Sequence, residues 1–249
     1  MTVAEIVAPT AAGPVDAVVT LPGSKSITNR ALLVAALAAG VGEVRQALAS
    51  DDTRHMANGL RALGLAVEED AAGAAVRAAG GGGRIPAAAA DLFCGNSGTT
   101  IRFLTAAAAL GRGRYRLDGD AAMRRRPIAP LLDGLRQLGV AARAEAGTDC
   151  PPVIVEAAGL AGGVARIPGD TSSQYFSALL LVAPCAARGL TLEVVGDLVS
   201  KPYLDVTAAV MAAFGATMTN DGYRRFAVAP GGRYAGRVYD VEPDASGAS

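Results

Sequence analysis

Between residues 26 and 39 apolar positions recur at helical spacing, and from Ala31 onward they cover nearly the whole circumference. This predicts a buried helix that stops at Gly40. The design returns twice. GNSGTTIRFLTAAAAL from Gly95 and GDTSSQYFSALLLVA from Gly169 each set a small polar cluster ahead of an apolar run, as GSKSITNRALLVAALA does from Gly23. Short apolar stretches bounded by Gly or Asp predict strands at 115–117, 153–155 and 190–195. Amphipathic runs ending in GLRALG, GLRQLG and VMAAFG predict second helices that stop at Gly64, Gly139 and Gly215, where glycine enters the left-handed region without strain. Strands are expected directly afterwards, at 65–68 and 140–143.

These landmarks form a repeat. The polar clusters, counting PDASGAS from Pro243 as a fourth, lie 72, 74 and 74 residues apart, and the glycine stops lie 75 and 76 apart. Two landmarks in step imply three copies of one helix-and-sheet unit, about 23–94, 95–168 and 169–242. The fold class expected is α/β (α+β), one lobe with approximate threefold pseudo-symmetry. The fourth opening is cut off at Ser249, so a further lobe is expected outside this chain. The glycine run 80–83 reads as a surface turn with no assigned role.

Composition narrows the function. Acidic and basic residues balance at 23 each, which argues against a nucleic-acid or membrane-surface partner. Any anion has to be held by local convergence of groups. Cys94, Cys150 and Cys185 form no CxxC pair, which fits a reducing cytoplasm and supports neither a disulfide framework nor a zinc site. No apolar stretch reaches the ~18 residues of a membrane span, and the first residues do not read as a signal peptide.

The polar openings carry the chemistry. A helix start offers free N–H groups and the positive end of the helix dipole, a ready anion site. Lys25 stands at the mouth of the first helix, with Ser26 and Arg30 four apart on one face. Cations at that end are unfavourable by roughly 0.3–1 kcal/mol each unless an anion lies among them. A nucleotide P-loop is excluded, because it needs glycines where Val19 and Ser24 stand. The second opening has Asn96, Ser97, Gly98, Thr99 and Thr100, with Arg102 expected to buttress the loop. The third has Asp170, Thr171, Ser172, Ser173 and Gln174, whose hydroxyls and amides suit a phosphate. Of the run Arg124, Arg125 and Arg126, the first two read as solvated, and Arg126, fixed before Pro127, is aimed at a ligand. Ser200, Lys201 and Tyr203 open another helix. His55 reads as structural, and Asp51 and Asp52 as first-turn helix charges.

LPGSKSITNRALL, GNSGTTIRFL, MRRRPI, PGDTSSQYFSALL, SKPYLDVT and VEPDAS, in this order, resemble the motifs of the 5-enolpyruvylshikimate-3-phosphate (EPSP) synthase family from about residue 20 to the C-terminus. The resemblance implies two lobes of three repeats each, with helices inside and sheets outside. Residues 1–22 would be strand(s) of the second lobe and 243–249 the crossover into it. It implies transfer of an enolpyruvyl group from phosphoenolpyruvate to shikimate 3-phosphate, with no cofactor or metal, in a usually monomeric protein. Lys25 would touch both substrates and be the catalytic residue of this lobe. Ser26, Arg30, Ser172, Ser173, Ser200 and Tyr203 would hold shikimate 3-phosphate, and Gln174 would reach both. Asn96, Gly98, Thr99 and Arg126 would surround the phosphate of phosphoenolpyruvate. Ser97, Thr100 and Phe103 depart from a common family pattern, which bears on the response to glyphosate. The acid–base groups are expected on the other lobe, so this chain alone should bind without turnover. The alternatives are an enzyme like UDP-N-acetylglucosamine enolpyruvyl transferase, a sister family, or a non-catalytic anion-binding module.

Overall fold

A computed structural model describes residues 13, 14, 16, 18, 21–70 and 73–244. The strands expected over 1–22 and the crossover expected over 243–249 fall almost wholly outside the described residues.

Three units follow one another. The first comprises α1 (Lys25–Leu37), β1 (Ala39–Arg45), α2 (Asp51–Ala62), β2 (Ala66–Glu69), β3 (Ala75–Gly81) and β4 (Ala89–Phe93). The second has α3 (Gly98–Ala108), β5 (Arg112–Asp118), α4 (Ala129–Gln137), β6 (Ala141–Ala144), β7 (Val153–Ala158) and β8 (Gly163–Pro168). The third has α5 (Ser173–Val182), β9 (Leu190–Val195), α6 (Pro202–Ala213), β10 (Thr219–Asp221), β11 (Arg225–Val228) and β12 (Val238–Asp240). Helix α1 opens one residue before its expected start, β9 matches its expected bounds, and β2 and β6 run one residue later than expected.

Among the described residues three four-stranded sheets result, in the orders β12-β1-β3-β2, β4-β5-β7-β6 and β8-β9-β11-β10. The last strand of each unit pairs in parallel with the first strand of the next, as β4 with β5 and β8 with β9, and β12 returns to β1. This cyclic exchange closes the threefold arrangement. Helices α1, α3 and α5 touch one another at the centre and are buried on nearly all sides beyond their first turns. Their runs of Ala let the backbones approach closely, and Leu33, Leu104 and Leu180 are fully buried. Among the described residues no helix is long and apolar enough to cross a membrane.

The glycine stops behave as expected. Gly64, Gly139 and Gly215 have φ of +85°, +83° and +90°. Each closes a paired bond pattern: the Gly64 N–H donates to Arg61 O (2.9 Å) and the Leu65 N–H to Leu60 O (3.1 Å), with equivalents at Gly139 and Gly215. Gly40 does not act this way. Helix α1 ends at Leu37, and Gly40 lies within β1 at φ +85°. The cap comes instead from the glycine run left without a role. Gly80 and Gly81 belong to β3, and Gly82 and Gly83 donate their N–H groups to Ala38 O and Leu37 O at 2.9 and 2.7 Å. A side chain at Gly80 would collide with the Ala38 carbonyl, its Cβ lying 2.2 Å from the oxygen.

The lobe begins and ends at one place. Gly23 bridges Pro243 in antiparallel fashion, the Ser24 N–H donates to Glu242 O (2.8 Å) and the Asp244 N–H to Pro22 O (2.9 Å).

Candidate active site

The starts of α1, α2, α3, α5 and α6, and the segment just ahead of α4, line one cavity of about 390 Å³. Helix α1 contributes Lys25, Ser26 and Arg30; α3 contributes Asn96, Gly98 and Thr99; and Arg126 precedes α4. Ser172, Ser173 and Gln174 come from α5, and Ser200 and Tyr203 from α6. All twelve residues selected from the sequence are therefore brought together. Thr171 and Asp52 line the cavity as well. A larger cavity of about 550 Å³ lies at the C-terminal end of α1, beside Pro184 and Cys185, and holds none of the twelve.

Arg30 is the centre of the site. It is 1% exposed, and among the described residues its hydrogen-bond partners are hydroxyls and carbonyls, with no carboxylate among them. Its Nε donates to Thr207 Oγ1 (2.9 Å), Nη1 to Ser26 O (2.8 Å), and Nη2 to Ser177 Oγ (3.2 Å) and Tyr203 O (3.3 Å). The guanidinium carries five N–H groups, so one on Nη1 has no acceptor among the described residues. Its carbon lies 5.3 Å from the Phe103 ring centroid and 5.9 Å from that of Tyr203. Burial pulls the group down to about 10, partly offset by the Tyr203 phenol. A buried cation without a counter-charge is costly, and an anion in the cavity relieves that cost. Helix α1 adds to the same field: Ser24 caps it without a side-chain bond, and no acid stands in its first turn.

At the mouth of α3, Arg126 Nη1 donates to Asn96 O at 3.0 Å. Ser97 caps α3 by accepting from the Thr100 N–H (3.3 Å), and Thr100 Oγ1 donates to the Asp52 carbonyl (3.0 Å), tying α3 to α2. Arg102 buttresses the site as expected. Its Nη1 donates to Gln174 Oε1, its Nη2 to Pro127 O (3.2 Å), and it stacks on Tyr175 at 5.1 Å. The Gln174 amide is thereby turned so that Nε2 donates to Thr99 Oγ1 at 3.2 Å, joining the second and third openings. Burial lowers Arg102, and the nearby Arg126 charge lowers it further. At α5, Ser172 caps the helix by accepting from the Gln174 N–H (3.3 Å). Ser200 holds a left-handed backbone, φ +55°, two residues before α6.

Comparison with known proteins decides the family. The model for EPSP synthase (3-phosphoshikimate 1-carboxyvinyltransferase) matches residues 9–249. The chain belongs to the EPSP synthase family. It is 48% identical over 239 residues to the 3-phosphoshikimate 1-carboxyvinyltransferase of Shewanella amazonensis, a match covering 94% of this chain and 55% of that protein. It is 45% identical over 236 residues to the enzyme of that name from Trichormus variabilis, covering 95% and 55%. The solved EPSP synthase from Acinetobacter baumannii superposes with a TM-score of 0.79 at 26% identity, over 92% of this chain and 50% of that one. The chain thus spans about half the length of the relatives it matches.

Within this EPSP synthase lobe, four sequence readings are refined. Asp52 is a first-turn residue of α2, but its Oδ2 also lies 3.4 Å from Lys25 Nζ, making it the one carboxylate among the described residues lining the cavity. Arg124 is not simply solvated: its Nε and Nη2 meet Asp118 Oδ1 and Oδ2 at 3.0 and 2.6 Å. His55 packs edge-on to Phe93, centroids 5.7 Å apart, with its ring against Gly95, which is a structural placement. Phe103 lies beneath Arg30, so this departure from the family pattern touches the α1–α6 side of the cavity.

Proposed function

We propose that the chain forms the substrate-holding lobe of an enzyme that transfers the enolpyruvyl group of phosphoenolpyruvate to the 5-hydroxyl of shikimate 3-phosphate, releasing phosphate. The observation that carries this reading is Arg30, a buried guanidinium that lines a cavity ringed by helix starts and has, among the described residues, no carboxylate partner and one N–H without an acceptor. Family membership favours this substrate pair over a nucleotide sugar and over a stand-alone anion-binding module.

The hydroxyls of Ser172, Ser173 and Ser200 suit the phosphate of shikimate 3-phosphate, and Ser26, Arg30 and Tyr203 suit its ring and carboxylate. Asn96, Gly98, Thr99 and Arg126 suit the phosphate of phosphoenolpyruvate. Lys25 at the mouth and Gln174 between the openings reach both ligands. This holds two anions side by side, which supplies orientation and charge neutralisation.

Proton transfer is a different matter. General acid–base catalysis contributes about 10²–10⁴-fold and needs correctly poised carboxylates or imidazoles. With Asp52 the one carboxylate lining the cavity among the described residues, and that one beside Lys25, this lobe is proposed to bind but not turn over alone. A second lobe would supply the remaining groups and exclude water on closing, as the natural partner of the lobe described here. The adjacency of Pro22–Ser24 and Glu242–Asp244 supports two crossovers at one edge. The free Cys94, Cys150 and Cys185 support a cytoplasmic setting.

Calorimetry tests the assignment. Shikimate 3-phosphate should bind, and replacing Ser172 and Ser173 together by Ala should weaken it by about tenfold or more, because bonds to a charged acceptor contribute about 1.5–3 kcal/mol each. Undiminished affinity in the double variant would remove these serines from the site.

A further inference from the structure

Tyr223 stands in a turn position that a bulky side chain rarely takes. In the turn 221–224 the Arg224 N–H donates to Asp221 O at 2.9 Å, and Gly222 and Tyr223 have φ of +54° and +58°. Two successive left-handed residues make a type I′ hairpin turn, which suits Gly and Asn and is strained for an aromatic residue. Glycine at 223 would relieve the backbone, so the side chain must return something glycine cannot.

What it returns lies at the start of α6. The Tyr223 hydroxyl is 2.8 Å from each carboxylate oxygen of Asp205, and Lys201 Nζ lies 5.5 Å over the Tyr223 ring. The ring edge also meets Phe226, centroids 6.2 Å apart, which roots it in the core. Lys201 and Asp205 are four apart, on one face of the opening turn of α6. Ser200, which precedes Lys201, and Tyr203, which lies between the two, line the cavity. Ser200 is itself left-handed, so a strained residue on the cavity side abuts a contact held by a strained residue in the hairpin.

We propose that Tyr223 is a positioning residue for the candidate active site: by gripping Asp205 and Lys201 from the β10–β11 turn, it fixes the start of α6 and so aims Ser200 and Tyr203 at a phosphorylated ligand. The proposal rests on the reading of the cavity given above. A purely structural role for the side chain makes a different forecast, since loss of an aromatic packed on the core would lower stability and leave α6 in place.

Two variants of the chain separate these cases, Tyr223→Gly, which frees the turn and removes the grip, and Tyr223→Phe, which removes only the hydroxyl. Hydrogen exchange is read at the Tyr203 and Leu204 amides, which donate to Ser200 O and Lys201 O at 3.1 and 2.8 Å. Shikimate 3-phosphate affinity is read by calorimetry. In Tyr223→Gly exchange at the two amides should quicken about tenfold while amides within α1, α3 and α5 keep theirs, and affinity should fall about tenfold, with Tyr223→Phe between. Unchanged exchange at both amides, or faster exchange with affinity within about twofold of the parent, would overturn the proposal. If Tyr223→Gly does not fold, Tyr223→Phe decides by the same readings. If the parent chain binds no shikimate 3-phosphate, the functional reading fails, and exchange alone decides whether Tyr223 holds α6.

Discussion

Arg126 occupies the space in which a side chain on Gly98 would stand: a Cβ there would come within 2.5 Å of Nη2 and 2.7 Å of Cζ. The guanidinium thus lies flat on the first residue of α3, held by the Asn96 carbonyl. Gly98→Ala should push Arg126 away from the helix mouth, while α3 itself gains a better helix former. We expect affinity for inorganic phosphate or phosphoenolpyruvate to fall about tenfold, the loss of one charge-assisted contact. Shikimate 3-phosphate should bind within about twofold of the parent, as measured by calorimetry with each ligand alone.

Arg30→Met should separate binding from stability. Met fills similar space, and Thr207 and Ser177 remain bonded to each other at 2.9 Å, so few buried groups lose their partners. Shikimate 3-phosphate affinity should fall by at least about tenfold, for a lost bond to a charged group. The melting temperature should change by no more than about 3 °C. A large drop in melting temperature with affinity intact would make Arg30 a structural residue.

Asp52→Asn should move affinity the other way. Asp52 opposes the incoming anion and neutralises Lys25 from 3.4 Å, across a pair whose side chains are 49% and 27% exposed. Such pairs contribute about 0–1 kcal/mol, so inorganic phosphate should bind up to about fivefold tighter in the variant. Weaker binding would mean that Asp52 serves to aim Lys25 more than to offset its charge.

Asp118 governs an acid-side response away from the cavity. Burial alone would raise its carboxyl, but bonds from Arg124 and the Gly119 N–H, with the charges of Arg124 and Arg116, outweigh that and hold it below the usual carboxylate range. The unfolded chain then takes up this proton first as pH falls. The stabilisation is full above about pH 4 and lost below it. Asp118→Asn should lower the melting temperature by about 2–4 °C at pH 7, with the gap closing toward pH 3 in a calorimetric pH series.

Much of this arrangement was legible because it is periodic. The polar openings and glycine stops recur with one spacing, and a repeated pattern constrains the fold more than any single helix does. The gathering of the openings followed from that repeat, since like units around an axis present like ends to one place. What escaped was non-local. The three-residue strand β12 carries no pattern of its own, and its return to β1 closes the lobe through pairing of residues almost two hundred apart in sequence. Gly40 looked like a helix stop because it follows an apolar run, yet the α1 carbonyls are capped by Gly82 and Gly83 from another strand end. Asp52 looked like an ordinary first-turn charge, and only the packing of α2 beside α1 brings it to Lys25. Arg124 sits in a run of like charges that implies a solvated face, and its partner Asp118 lies beyond an intervening turn, a relation that one-dimensional charge patterning does not register.

The most direct measurement is a crystal structure of the chain soaked with shikimate 3-phosphate. The phosphate should lie at the starts of α5 and α6, within hydrogen-bond reach of Ser172, Ser173 and Ser200, with the carboxylate side of the ring toward Arg30. A ligand seated instead in the larger cavity beside Pro184 and Cys185, or one that leaves Arg30 and the serines untouched, would contradict this assignment.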